Sequence, residues 1–260
     1  MMLFRLLLLS LLALSLGGCL TPREDEDTPK AQALIDAAIA AHGGERYDFA
    51  VIEFDFRDKH YRLQQQGGLY QYQRIFLQEG HTVRDQLDNE GFVRTIDGAP
   101  VALPDSLRDA YANSVNSVAY FALLPHGLDD PAVQKQYLRT ITLEGQPYHE
   151  IQVTFRREGG GHDYQDEFRH YLHAETHHLD YLAYVYDTNG GGMRFRAAYR
   201  VHEVGGLRLQ DYINYEADPA QLSLDELPQA YNAETLTELS RIDLEAVQVQ
   251  PLPRPEQMLP

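Results

Sequence analysis

Five strand-length runs between Tyr148 and Tyr215 restrict what this chain can fold into more than any other feature. His149–Phe155, Asp166–Leu172, Asp180–Tyr186, Met193–Val201 and Leu207–Tyr215 are rich in Tyr, Val, Ile and Phe, and turn residues bound each of them. Two corners carry the same triplet, Gly159-Gly160-Gly161 and Gly190-Gly191-Gly192. If the strands pair in order, both triplets lie at one end of the sheet, and Ala174-Glu175-Thr176 turns the chain at the other. The third run is apolar on both faces, with Tyr181, Ala183 and Val185 opposite Leu182, Tyr184 and Tyr186. A strand wet on one side alternates, and one covered on both sides does not. The second face of this strand therefore needs a cover.

Two helices can supply it. Thr28-Pro29 reads as a helix start, and Leu34, Ile35, Ala38 and Ile39 make one apolar stripe ending at Gly43-Gly44. The second, Ser106–Leu124, aligns Leu107, Tyr111, Val115, Val118 and Ala122 and stops at Pro125. Its larger stripe predicts that it lies across the sheet near Tyr184, with Phe121 and Leu124 at its end. Between the helices runs another meander. Ala50, Ile52, Phe54 and Phe56 face inward, and further runs follow at Tyr61–Gln65, Leu69–Gln78, His81–Leu87 and Gly91–Ile96. After Asp218-Pro219 the chain reads as loop, then one last strand over Leu239–Val249, and residues 251–260 form a Pro-rich tail. The expected architecture is α+β, one large curved antiparallel sheet with helices on its concave side, in a single domain over residues 30–250.

The N-terminus locates the protein. Arg5 precedes the apolar run Leu6–Leu16, which is too short to span a bilayer, and Leu16-Gly17-Gly18-Cys19 matches a bacterial lipobox. Residues 1–18 are expected to be removed as a signal peptide. Cys19 would then carry a diacylglycerol, with residues 19–29 as an acidic tether. That places the protein on the outer membrane, facing the periplasm or the cell surface. Cys19 is the one cysteine, so no disulfide forms in the mature chain. A net charge of −17 excludes nucleic acid as a partner, because such binding needs a basic footprint.

This layout, with the lipobox and the Ala37-Ala38-Ile39-Ala40-Ala41-His42-Gly43-Gly44 segment, resembles the lipoprotein carriers LolA and LolB, which form an unclosed barrel around a lipid cavity. The chain also resembles a family of uncharacterised Bacteroidota lipoproteins known as a domain of unknown function. That resemblance covers roughly residues 30 to 217. It lies in the segment from Asn116 to Pro131, in Tyr181-Leu182-Ala183-Tyr184, and in the segment from Asn189 to Arg196. No catalytic residues come with it.

Candidate chemistry is sparse, and nothing calls for a cofactor. His170, His173 and His177 crowd one hairpin and could bind a metal, or could be surface histidines around a turn; on a strand the first two point to opposite faces. No Gly-x-Ser-x-Gly or HExxH motif is present. Arg194, Arg196 and Arg200 share one face of the fourth run, opposite Met193, Phe195, Ala197, Tyr199 and Val201. They either form a solvated face paired with acidic residues, or Arg194 and Arg196 hold an anionic headgroup near the glycine corner. Tyr120, Tyr184 and Tyr186 would then line a cavity, or serve as core aromatics. Two functions remain in view. One is a lipoprotein binding a lipid or other apolar ligand between sheet and helix. The other is a periplasmic or surface hydrolase using His and Asp/Glu brought together by the fold.

Overall fold

The computed structural model describes residues 24–162, 164–187 and 190–254. Cys19 and the expected signal peptide lie outside them. Helix α1 (Glu24–His42) is followed by β1 (Phe49–Phe56), β2 (Lys59–Gln66), β3 (Leu69–Gln78), β4 (His81–Asp88), β5 (Gly91–Ile96) and β6 (Ala99–Pro100). Helix α2 (Asp105–Leu123) leads to β7 (Val133–Leu143), β8 (Gln146–Phe155), β9 (Glu167–His173), β10 (Leu179–Tyr186), β11 (Gly192–Val204) and β12 (Leu207–Ala217). Then come α3 (Leu227–Asn232), β13 (Thr237–Ile242) and β14 (Glu245–Pro251). The first helix starts inside the stretch expected to be tether. Pro29 falls early in it and forfeits one backbone hydrogen bond there.

The strands form two antiparallel sheets of seven, in the orders β14-β1-β2-β3-β4-β5-β6 and β13-β12-β11-β10-β9-β8-β7. Each is a meander, and together they make the expected curved, unclosed β layer with helices against it. The expected strand Leu239–Val249 is instead two strands. β13 borders β12 and β14 borders β1, so the chain passes from one sheet to the other through Asp243-Leu244. Leu244 is buried, and its N–H donates to Asp211 Oδ1 at 2.8 Å, which pins that corner. Gly205, in the β11–β12 hairpin, has φ of +62°, and a Cβ there would meet Val249 at 2.7 Å. Only glycine lets this hairpin close onto β14.

Each helix covers a different sheet. The buried residues Ala31, Ile35 and Ala38 of α1 pack on the second sheet against Ile151, Leu172 and Leu182. In α2 the buried stripe is Val115, Ala119 and Leu123: Val115 is as expected, the two later positions fall one residue beyond Val118 and Ala122, and Leu107 is 44% exposed. This helix rests on β3, β4 and β5 of the first sheet. Only its C-terminal half reaches the second, where the Phe121 ring lies 5.3 Å from that of Tyr184. The expected approach of α2 to Tyr184 is thus made by Phe121 near its end, while the buried stripe of α2 packs on the first sheet and α1 packs on the second.

The opposite face of β10 is covered from the segment after Asp218-Pro219, where the sequence pattern predicts loop. Leu224 and Leu227, beside and within α3, are buried against Tyr181, Ala183 and Phe195. Tyr231 stacks on Phe195 with ring centroids 4.7 Å apart. At the glycine corner, Gly190 and Gly191 have φ of +94° and +74°, where other residues are strained.

Candidate ligand-binding site

The site is built on adjacent strands of the second sheet. In the antiparallel ladder Arg196 of β11 stands directly opposite Asn214 of β12, with Leu182 of β10 on its other side. Alternation along β11 sends Phe195 and Ala197 into the core under α3 and turns Arg196 toward α2. A bulge between Ala198 and Arg200 then reverses the pattern. Arg200 therefore faces away from Arg196 and pairs with Asp211, correcting the expectation that Arg194, Arg196 and Arg200 share one face.

Arg196 is 8% exposed. One guanidinium nitrogen donates to Tyr184 Oη at 2.7 Å, and the Phe121 ring centroid lies 3.8 Å from its central carbon. Its Nε is buried without a hydrogen-bond partner, and among the described residues no carboxylate pairs with it. The other buried arginines differ. Arg74 and Arg94 share Asp85, and Arg169 meets Glu150, Glu167 and Asp225. Arg194, two residues from Arg196, is paired with Glu216 at 3.4 Å and borders a separate depression beside Gly190-Gly191-Gly192.

Two cavities flank Phe121 beneath the C-terminal half of α2. One, of about 220 Å³, is bounded by Arg196, Gln210 and Asn214 together with apolar side chains such as Val118, Ala122 and Ile242. Gln210 donates to Tyr212 Oη at 2.6 Å while its Oε1 is buried without a partner, and Asn214 donates to Ser240 Oγ at 3.3 Å while its Oδ1 is likewise unpartnered. The other cavity, of about 260 Å³, is walled by Tyr120, Phe155, Phe168, Tyr184 and Tyr186. Asn113, Asn116, His162 and Asp166 stand at its polar side. Burial pushes the Tyr120 hydroxyl well above the usual phenol range, and among the described residues that hydroxyl has no hydrogen-bond partner. Phe121 and Ser117 border both spaces, so a change at either can join or fill them.

The histidine hairpin does not assemble a metal site. His170 faces the helices and His173 the opposite side, as strand alternation requires. The His173 ring accepts the N–H groups of Glu175 and Thr176, and His177 sits in the turn with φ of +59°. Among the described residues no group of three His, Cys, Asp or Glu side chains is placed to hold a metal.

His170 is fully buried, and neither ring nitrogen has a partner. Burial pushes its pKa down to about 3. The unfolded chain takes up this proton below about pH 6.5 while the folded chain does not, so stability is lost as pH falls from there toward 3. The loss from this one group reaches about 3 kcal/mol by pH 4. His42, also held near 3, chiefly by burial and then by the Arg208 charge, adds to the same slope. His170→Leu is expected to flatten the dependence, so that the variant's melting temperature gains on the wild type's between pH 6.5 and 4. A gap that stays constant with pH would refute this.

Residues 14–244 match the model of DUF6503, a family of unknown function. The chain belongs to that family. No curated protein matches this DUF6503 chain in sequence. Among solved structures, it is similar to a LolA superfamily protein from Nitrosomonas europaea, with 10% identity, 88% of this chain and 94% of that one covered, and a TM-score of 0.49. It is also similar to a DUF1329 family protein from Desulfovibrio piger, at 10% identity, 84% and 92% coverage and a TM-score of 0.42. An outer membrane lipoprotein-sorting protein domain from Vibrio parahaemolyticus is 8% identical over 78% and 98% of the chains, with a TM-score of 0.42. No helix among the described residues of the DUF6503 chain is long and apolar enough to cross a membrane.

Arg196, Tyr120, Tyr184 and Tyr186 were legible as candidates from strand and helix pattern. The sequence pattern places Phe121 near Tyr184 at the end of the helix but does not mark Gln210 or Asn214 as site residues. The available signal was the alternation Gln210, Tyr212, Asn214, which puts two amides beside a buried tyrosine on one strand face.

Proposed function

We propose that this protein is a cell-envelope lipoprotein that binds and carries a lipid or other apolar ligand between its second sheet and helix α2. One observation carries the reading: α2 is seated tightly only on one side. Its Val115, Ala119 and Leu123 stripe is packed into the core, whereas Ser117 and Phe121 border two spaces walled largely by aromatic and aliphatic side chains. Each space is smaller than typical ligand sites of roughly 300–1,000 Å³, and the two joined fall within that range. Anchoring through a diacylglycerol on Cys19, on the periplasmic or outer face of the outer membrane, belongs to the same proposal and rests on the lipobox. The anchor is tested by Cys19→Ser, whose recovery in the membrane fraction after signal cleavage would exclude it.

The binding function is tested by mass spectrometry of organic extracts from purified protein. A lipid near one-to-one stoichiometry is expected in the wild type. Ser117→Phe, which places a ring where the two cavities meet, is expected to lower it at least tenfold without lowering the melting temperature. Extracts free of ligand, together with no uptake of added acyl chains, would overturn the proposal.

A further inference from the structure

We infer that the ligand is an acidic amphiphile, and that its carboxylate or phosphate binds Arg196 between Gln210 and Asn214 at the polar end of the 220 Å³ cavity. The inference rests on the carrier reading above and adds the chemistry of the head. A guanidinium withdrawn from water is unfavourable unless a charge or a full set of acceptors replaces the hydration. Arg74, Arg94 and Arg169 obey that rule through their carboxylates. Among the described residues Arg196, equally buried, has one phenol oxygen, the faces of Phe121 and Tyr184, and an Nε with nothing to bond. The aromatic faces stabilise a cation without satisfying its N–H groups. An oxyanion in the cavity would complete the fork as no neutral group can.

Two further atoms narrow the class. Gln210 Oε1 and Asn214 Oδ1 are buried acceptors without donors, and both side chains border the same cavity as Arg196. A bound molecule that carries a hydroxyl beside its acidic group supplies the missing donor. The head is therefore an acid with an adjacent hydroxyl, and the aliphatic and aromatic walls around Phe121 receive its chain. Helix α2 delivers no charge to this point: Ser117, Val118, Phe121 and Ala122 are the side chains it presents there.

The experiment measures binding of dodecanol, dodecanoate, 3-hydroxydodecanoate and dodecyl phosphate to purified, delipidated wild type, Arg196→Gln and Asn214→Asp. Asn214→Asp sets a carboxylate opposite Arg196 and occupies the guanidinium from within, so it tests the site even where Arg196→Gln fails to fold. Wild type is expected to bind dodecanoate or dodecyl phosphate about 10–100-fold more tightly than dodecanol, with the hydroxylated acid tighter than the plain one. Which of the two anions binds better identifies the acid. Asn214→Asp is expected to erase the preference, bringing dodecanoate and dodecyl phosphate down to the affinity that the same variant shows for dodecanol. Equal affinity for acid and alcohol in wild type would overturn the inference and leave the carrier reading intact. Preference for the acid that persists in Asn214→Asp would remove Arg196 from the site. Inorganic phosphate that stabilises the protein as well as dodecyl phosphate would make this a site for a free anion and likewise overturn the inference. No binding of any chain would remove the carrier reading too.

Discussion

Asp85→Ala is expected to destabilise the protein by about 3–5 kcal/mol, or to prevent folding altogether. The Asp85 carboxylate is fully buried and accepts from Arg74 at 3.0 and 2.6 Å and from Arg94 at 2.6 and 2.9 Å. Both arginines are themselves less than a tenth exposed. Removing the one carboxylate strands two cations, and stranding costs far more than an exposed ion pair contributes. The effect reaches α2, because Arg74 also donates to Ser114 Oγ at 2.7 Å and Arg94 lies 3.7 Å from the centroid of the Tyr111 ring. Thermal unfolding is the check. For a chain of this size the loss corresponds to a fall of roughly 10 °C, and a variant melting within 2 °C of wild type would show the cluster to be dispensable.

Leu227→Asp is expected to cost as much or more. Leu227 is fully buried in the cluster that covers the outer face of β10 and β11, beside Tyr181, Ala183 and Phe195. A carboxylate there must either remain charged without a partner or take up a proton at neutral pH, and such sites give the largest single-residue losses, above about 4 kcal/mol. Leu227→Ala should cost about 2–5 kcal/mol by leaving a cavity, which separates the effect of charge from that of lost volume. The Asp variant should bind a hydrophobic dye, since α3 would lift from an aromatic face containing Tyr181 and Phe195. Wild-type melting with no dye binding would mean that α3 is a dispensable flap. The hydrogen bond from Tyr231 of α3 to Glu144, at 2.7 Å, would be lost together with the helix contact.

Much of the architecture was legible because strand and helix periodicity are local. Of the four side chains of β1 read as inward, Ala50, Ile52 and Phe54 are buried at 2%, 1% and 0% exposure and Phe56, at the strand end, is half-buried. The two-sided apolar pattern of β10 required covers on both faces, and both are present. Nothing in the same residues could say that the outer cover would be Leu224–Tyr231. A six-residue helix has too few positions to show a period, and its stability comes from the sheet it lands on. The bulge at Ala198 was hidden for a related reason. One inserted residue reverses a strand's faces, and the register that forces it belongs to the pairing with β12.

The candidate site divides along the same line. The sequence alone determined that Arg194 and Arg196 share a face of one strand and that aromatic residues cluster on α2 and β10, since alternation depends only on neighbours in the chain. Only the tertiary structure decided that Arg194 meets Glu216 while Arg196 lies opposite Asn214, beneath Phe121 and, among the described residues, without a carboxylate. The physical reason is that a charge acquires its partner across strands, through a register set by turns and bulges far along the chain. It loses its water only when a helix from another part of the sequence closes over it.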